Sequence, residues 1–190
     1  MPETAEQIYD RCHDRLVLPD VAGWDTFPFE GVLGVRPLAA PLAEEPLRNG
    51  AGGVDCRGCA RPDGDYLWTD EHWRVASTPA PTGMPVVLFV EPRQHFAEPG
   101  DLPDDLAAGM GLVLARTERA VRGIGEIGRV HVCRWGDGSE HLHWWVIARP
   151  ARLPQVLGSL CELWDEVLPP VPDEIWRDNL DRVVAALRAG

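Results

Sequence analysis

Residues 136–150 read Gly-Asp-Gly-Ser-Glu-His-Leu-His-Trp-Trp-Val-Ile-Ala-Arg-Pro, and the histidines His141 and His143 are the side chains best suited to chemistry. Imidazole can attack, accept a proton or bind a metal near neutral pH. Lying two positions apart in an apolar run, the two rings predict one face of a β-strand, shared with Trp145. Leu142, Trp144 and Val146 are expected on the opposite face. The preceding loop, Gly136 to Ser139, offers backbone donors that suit an anion. Loop and imidazoles together suit binding an anionic group and attacking it. A packing role would instead require a hydrogen-bond partner for each ring, which core strands seldom supply twice.

A second constellation lies upstream. Cys56-Arg-Gly-Cys59 supplies two thiols at metal-ligand spacing, and His95 and His141 can complete a tetrahedral sulfur/nitrogen set suited to zinc. Two other readings of the cysteines stand beside it: a redox pair and metal-free structural thiols. A redox CxxC normally opens a helix. Gly58 inside the motif and Arg61-Pro-Asp-Gly64 after it predict no helix here.

The elements that must position these groups follow from pattern. An amphipathic helix is predicted over 3–16, and an extended arm over 17–55, where prolines 19, 28, 37, 41 and 46 exclude a long helix. Trp24, Phe27 and Phe29 are its expected anchors. Short strands are predicted near Tyr66–Trp68 and Trp73–Ala76, and a buried one over Val86–Val90. Asp101-Leu-Pro-Asp-Asp105 starts a helix that should reach Arg122, with Leu106, Met110, Val113, Leu114, Thr117 and Val121 inward and Gly123 as its stop. A strand pair is expected at Val130–Arg134 and His141–Ala148. Two helices, Leu153–Val167 and Pro172–Ala189, are expected to close the chain.

With 190 residues, 45% hydrophobic and 25% charged, the chain is expected to form a single soluble domain of class α+β over 1–190. A formal charge of -12 argues against a nucleic-acid partner, because no basic stripe exists to neutralise phosphates. No apolar run approaches the ~20 residues of a membrane span. The N-terminus lacks the features of a signal peptide, and the five cysteines do not form a secreted framework, so a cytoplasmic location is expected.

The order of these features resembles the histidine-triad (HIT) superfamily. The likeness covers about residues 56–150: the CxxC, strand 86–90, the turn Pro92-Arg-Gln-His95, the following helix, the glycine loop and His141-Leu-His143. It is closest to the zinc-carrying type, exemplified by galactose-phosphate uridylyltransferases. The resemblance implies an antiparallel sheet with a packed helix, flanked here by the N-terminal arm (1–55) and a C-terminal helical extension (151–190). It implies a structural zinc held by Cys56, Cys59, His95 and His141. It also implies His143 as the nucleophile that carries a nucleotidyl group, and a possible homodimer. The implied ligand is a small-molecule nucleotide or phosphate, with Arg134, Trp135, Gly136, Gly138, Ser139 and Trp145 as binding residues.

Several positions depart from the family. Its third motif residue, histidine or glutamine, is Trp145 here, and an indole N–H donates one bond but accepts none. The closing Pro-Arg is Ala148-Arg149. The acid that holds ribose hydroxyls has no counterpart in Val75-Ala76-Ser77, and Cys133 or Arg134 replaces an asparagine. Glu140 is expected on the face away from the histidines, Asp137 in a turn, and His72 and His131 outside the site. The favoured function is nucleotidyl transfer or hydrolysis through a nucleotidyl-histidine. The alternatives are a catalytically impaired nucleotide- or partner-binding zinc module and a specialised biosynthetic enzyme acting on a non-standard substrate.

Overall fold

The computed structural model describes residues 3–17 and 21–190; Pro19 of the arm and the first two residues lie outside the described residues. Five strands form one antiparallel sheet: β1 (Trp68–Thr69), β2 (Trp73–Ser77), β3 (Val87–Pro92), β4 (Ile127–Cys133) and β5 (Trp144–Pro150), in the order β1-β2-β3-β5-β4. The class is α+β.

Alternation along the strands divides the core between the two faces of the sheet. Val75, Leu88, Val90, Trp144, Val146 and Ala148 are buried on one face with Leu106, Val113 and Val121 of the long helix α3 (Asp104–Arg122) and Val183 and Leu187 of the last helix, α5 (Asp173–Ala189). Each such aliphatic side chain, fully buried, contributes about 1.5–3 kcal/mol. On the other face Val87 and Ile147 pack with Met84, Val156 and Cys161, the last from α4 (Cys161–Val167). Farther along that face Phe89 and Glu91 are only half-buried, and this is where the functional side chains gather.

Several boundaries differ from expectation for local reasons. The strand predicted from His141 begins at Trp144. The Leu142 amide donates to the Phe96 carbonyl (2.8 Å), so the two histidines enter the sheet from a tethered segment instead of the ladder. Helix α3 starts at Asp104 because Pro103 occupies its N-cap, after a 3-10 turn at Pro99–Asp101; Gly123 caps its end as expected. The helix predicted from Leu153 begins only at Cys161, since Gly158 sits at φ +54, in the left-handed region. A helix was not expected after Cys56, yet Arg57–Ala60 forms a single helical turn, α2, capped by the Cys56 sulfur accepting from the Cys59 amide (3.4 Å).

The N-terminal helix α1 is shorter than predicted, Ala5–Cys12, with Thr4 and Gln7 forming a capping box. Of the expected aromatic anchors of the arm, Trp24 and Phe29 are exposed and Phe27 is half-buried. Polar contacts dock the arm. Trp164 donates its indole N–H to the Thr26 carbonyl (2.8 Å), Arg48 pairs with Glu98 (2.8 Å), and Asn49 bridges to Ser139.

Candidate functional site: a Cys/His cluster beside His143

Three segments far apart in sequence meet at one end of the sheet. Cys56, Cys59, His95 and His141 bring one ligand atom each to within 4.8 Å of one another. The His141 ring, only 3% exposed, has its Nε2 at 2.9 Å from the Pro92 carbonyl. That bond fixes the N–H on Nε2 and leaves the Nδ1 lone pair facing Cys56 (3.4 Å) and Cys59 (3.6 Å). His95 is oriented in the same way. Its Nε2 lies 3.4 Å from the Glu140 carboxylate and its Nδ1 3.6 Å from the Cys59 sulfur. A ligand histidine whose second nitrogen donates to a carbonyl or carboxylate is the usual support of a metal centre.

Glu140 is in turn fixed by the Gly52 amide (2.6 Å) and lies 3.7 Å from Arg48. The Gly52 amide, followed by His95 and Arg48, holds its carboxyl below the usual range. The turn between the cysteines is held from beneath: Arg74, 8% exposed, donates to the Gly58 carbonyl (2.9 Å) and pairs with Asp63 (3.1 Å). Cys59 is exposed as a residue, but partial desolvation of its sulfur, reinforced by Cys56, pushes the thiol up to about 11. Two sulfurs and two imidazole nitrogens converging in this way fit a thiophilic, four-coordinate ion.

Packing at the cluster leaves no room at Gly58. A Cβ there would lie 2.7 Å from the His141 ring, well inside van der Waals contact. Gly58→Ala is therefore expected to displace His141 and to cost about 1–3 kcal/mol of stability. Thermal unfolding together with metal content checks this; an unchanged pair of values contradicts it.

Burial also pushes the pKa of His141 below its ordinary value of 6.5, against smaller opposing effects of the Pro92 carbonyl and Glu91. The folded pKa then lies below the unfolded one. This contribution to stability is fully present above about pH 6.5 and is lost as pH falls toward the folded value. Metal retention should decline in the same direction, since protons compete for the ring. Melting temperature and metal content measured between pH 5 and 8 should fall together on the acid side.

His143, half-buried, stands next to this cluster. Its Nδ1 is 2.9 Å from the His141 carbonyl, so the N–H of a neutral ring is on Nδ1 and the lone pair is on Nε2. The ring borders a cavity of about 210 Å3 lined by Arg57, Gly58, Arg61, Tyr66, Phe89, Glu91, Ser139 and His141. At its floor the Tyr66 hydroxyl donates to Glu91 and accepts from Arg74 (3.3 Å). Burial, and after it Glu91, pushes the Tyr66 phenol up to about 12.

Of the residues expected to bind substrate, Ser139 lines this cavity. The others are not among its lining residues. Arg134 pairs with Glu98 (2.6 Å) and donates to the Ala97 carbonyl (3.1 Å), next to Gly136 in a separate polar cleft with Arg48. The Gly138 carbonyl accepts from the Asn49 amide (2.9 Å). Trp145 stacks edge-on against Phe89 (4.6 Å) and Trp135 (5.6 Å), with its ring centre 6.4 Å from that of His143. Its indole N–H is buried without a partner among the described residues.

Arg57, Arg61, Tyr66, Glu91 and Arg74 were not among the expected residues, and Glu140, expected away from the histidines, instead meets His95 because the strand begins only at Trp144. Three carried a signal. Arg57 sits inside the CxxC, Glu91 ends an apolar strand, and Arg74 lies in a strand otherwise destined for burial.

No family model and no curated protein matches the chain by sequence. Solved structures do match. A Zn-bound histidine triad family protein from Mycobacterium smegmatis superposes with TM-score 0.51 at 24% identity, over 72% of this chain and 95% of that one. A histidine triad protein from Sinorhizobium meliloti 1021 does so with TM-score 0.53 at 16% identity, over 64% and 87%. A uridylyltransferase mutant matches with TM-score 0.49 at 18% identity, over 74% of this chain and 49% of that one. The chain has the fold of the histidine-triad proteins.

Proposed function

We propose that the protein transfers or hydrolyses a nucleotidyl group through a covalent intermediate on His143. The observation that carries this reading is the 2.9 Å contact between His143 Nδ1 and the His141 carbonyl, which leaves Nε2 as a fixed nucleophile at a cavity. In the first step Nε2 attacks phosphorus. The N–P bond forms, the bond from phosphorus to the leaving group breaks, and the leaving group departs with the electron pair and gains a proton from solvent. The Nδ1–H stays on the His141 carbonyl and spreads the ring's positive charge. In the second step water attacks phosphorus, the N–P bond breaks, the imidazole recovers its electron pair, and the water's proton is released. An acceptor phosphate can replace water. Ser139, at the cavity wall, can donate to a phosphoryl oxygen.

The ion we assign to Cys56, Cys59, His95 and His141 is zinc, from the S2N2 donor set and the zinc in the Mycobacterium smegmatis protein of the same fold. When bound, it cross-links the α2 turn, the His95 turn and the His141 segment. His143 is outside the donor set, so the role proposed for the metal is structural.

Trp145 favours one further reading, a binding module without turnover. Its ring packs on Phe89 and Trp135 and is not among the side chains at the cavity wall. Incubation with nucleoside phosphoramidates and dinucleoside polyphosphates separates the two. Release of nucleoside monophosphate supports the enzyme; binding without release supports the module.

A further inference from the structure

The cavity at His143 is small for a whole substrate. Ligand pockets begin at roughly 300 Å3, and this one is about 210 Å3. A second cavity of about 370 Å3 adjoins it, lined by Asn49, Gly50, Asp55, Arg57 and Ser139. Arg57 and Ser139 belong to both walls and stand between the two cavities.

Arg57 is also the cation at this site with nothing to hold. Among the described residues its guanidinium has no hydrogen bond or ion pair, although acids outnumber bases 30 to 18. Its neighbours are committed. Arg74 serves the Gly58 carbonyl and Asp63, Arg48 serves Glu98 and the Gly136 carbonyl, and Arg134 serves Glu98. Arg61, one helical turn on from Arg57, lies over the Tyr66 ring (4.4 Å) and donates to the Asp65 carbonyl, with the rest of its fork free. Arg57 stands between the two cysteines of the cluster, so its backbone is pinned while its side chain stays exposed.

We propose that Arg57, assisted by Arg61, binds a second oxyanion of the substrate, on the leaving-group side of the phosphoryl that His143 attacks. A guanidinium fork matches phosphate or carboxylate oxygens in pairs. There it holds the leaving group through its anionic oxygens and, where the leaving atom is itself a phosphate oxygen, offsets the charge that arrives as the bond from phosphorus breaks. The inference rests on the nucleotidyl-histidine reading and narrows its substrate to donors with an anionic leaving group.

Calorimetric titration of the zinc-loaded full chain tests it, with AMP, ADP and the phosphoramidate of AMP with aspartate as probes at about 0.15 M salt. ADP presents a second phosphate and the aspartyl compound presents carboxylates, so the two arms distinguish the sources of the oxyanion. At least one should bind about tenfold more tightly than AMP. Arg57→Ala should reduce that advantage to less than about twofold, with zinc content and melting temperature retained. Equal affinity for all three, no binding of any, or an equal loss for all three in Arg57→Ala overturns the proposal. Failure of the underlying reading looks different: these ligands bind with the Arg57 dependence, yet no adduct forms on His143.

Discussion

Replacing His143 with alanine is expected to abolish turnover of a nucleoside phosphoramidate, by on the order of 10^4-fold or more, the scale seen when a covalent nucleophile is removed. Metal content should be unchanged, because the ring contributes no atom to the Cys/His cluster. Stability should change little. The ring is half-buried and makes one hydrogen bond, to the carbonyl of His141, so its loss costs about 1 kcal/mol and lowers Tm by a few degrees at this chain length. His143→Gln provides a second variant that can still donate to that carbonyl but forms no phosphoryl intermediate. It should be as inactive as the alanine variant. Activity retained by both variants would place the chemistry elsewhere.

The second large effect is expected at the residues proposed to hold the metal. Cys56 is 4% exposed, faces Nδ1 of His141, and caps the α2 turn. Cys56→Ser should release the metal and loosen the α2 turn from the His95 turn and the His141 segment, which the β3–β5 pairing and the Leu142 amide already join to each other. Structural zinc contributes about 10–16 kcal/mol in small fingers that have no other core. This chain has a large apolar core on one face of its sheet, so a smaller share, about 4 kcal/mol, is expected to depend on the ion. That corresponds to about 8–16 °C in Tm for a domain of this size. Chelation of the wild type should produce the same fall, and added zinc should restore it in the wild type but not in Cys56→Ser. A Tm unmoved by chelation would mean that the cysteines hold the fold without metal.

Much of the fold was legible because its elements follow strong patterns. The α3 face from Leu106 to Val121 follows helical spacing, and the apolar run at β3 and the Gly123 stop are equally direct. The convergence of Cys56, Cys59, His95 and His141 was legible because CxxC and two histidines are chemically distinctive wherever they fall. Contacts between remote segments were not. Nothing local to Glu140 indicates that Gly52 and His95 will meet its carboxylate, and nothing local to Arg134 indicates that Glu98 will occupy its fork. The alternation rule still placed Leu142, Trp144 and Val146 on the helix-covered face. It overstated the strand, because the tether from Leu142 to Phe96 replaces ladder pairing ahead of Trp144. The arm illustrates the same limit. Trp24 and Phe29 looked like anchors and are exposed, whereas Thr26, Arg48 and Asn49 make the polar contacts that dock it.

His143 Nε2 is proposed to form a bond to phosphorus. The most direct test of that bond is peptide mapping by mass spectrometry of zinc-loaded protein after brief incubation with a nucleoside phosphoramidate, quenched at alkaline pH to preserve N–P bonds. One nucleotidyl group is expected on the peptide containing His143, absent from His143→Ala. Turnover without any adduct on that peptide, or an adduct that persists in the alanine variant, would contradict it.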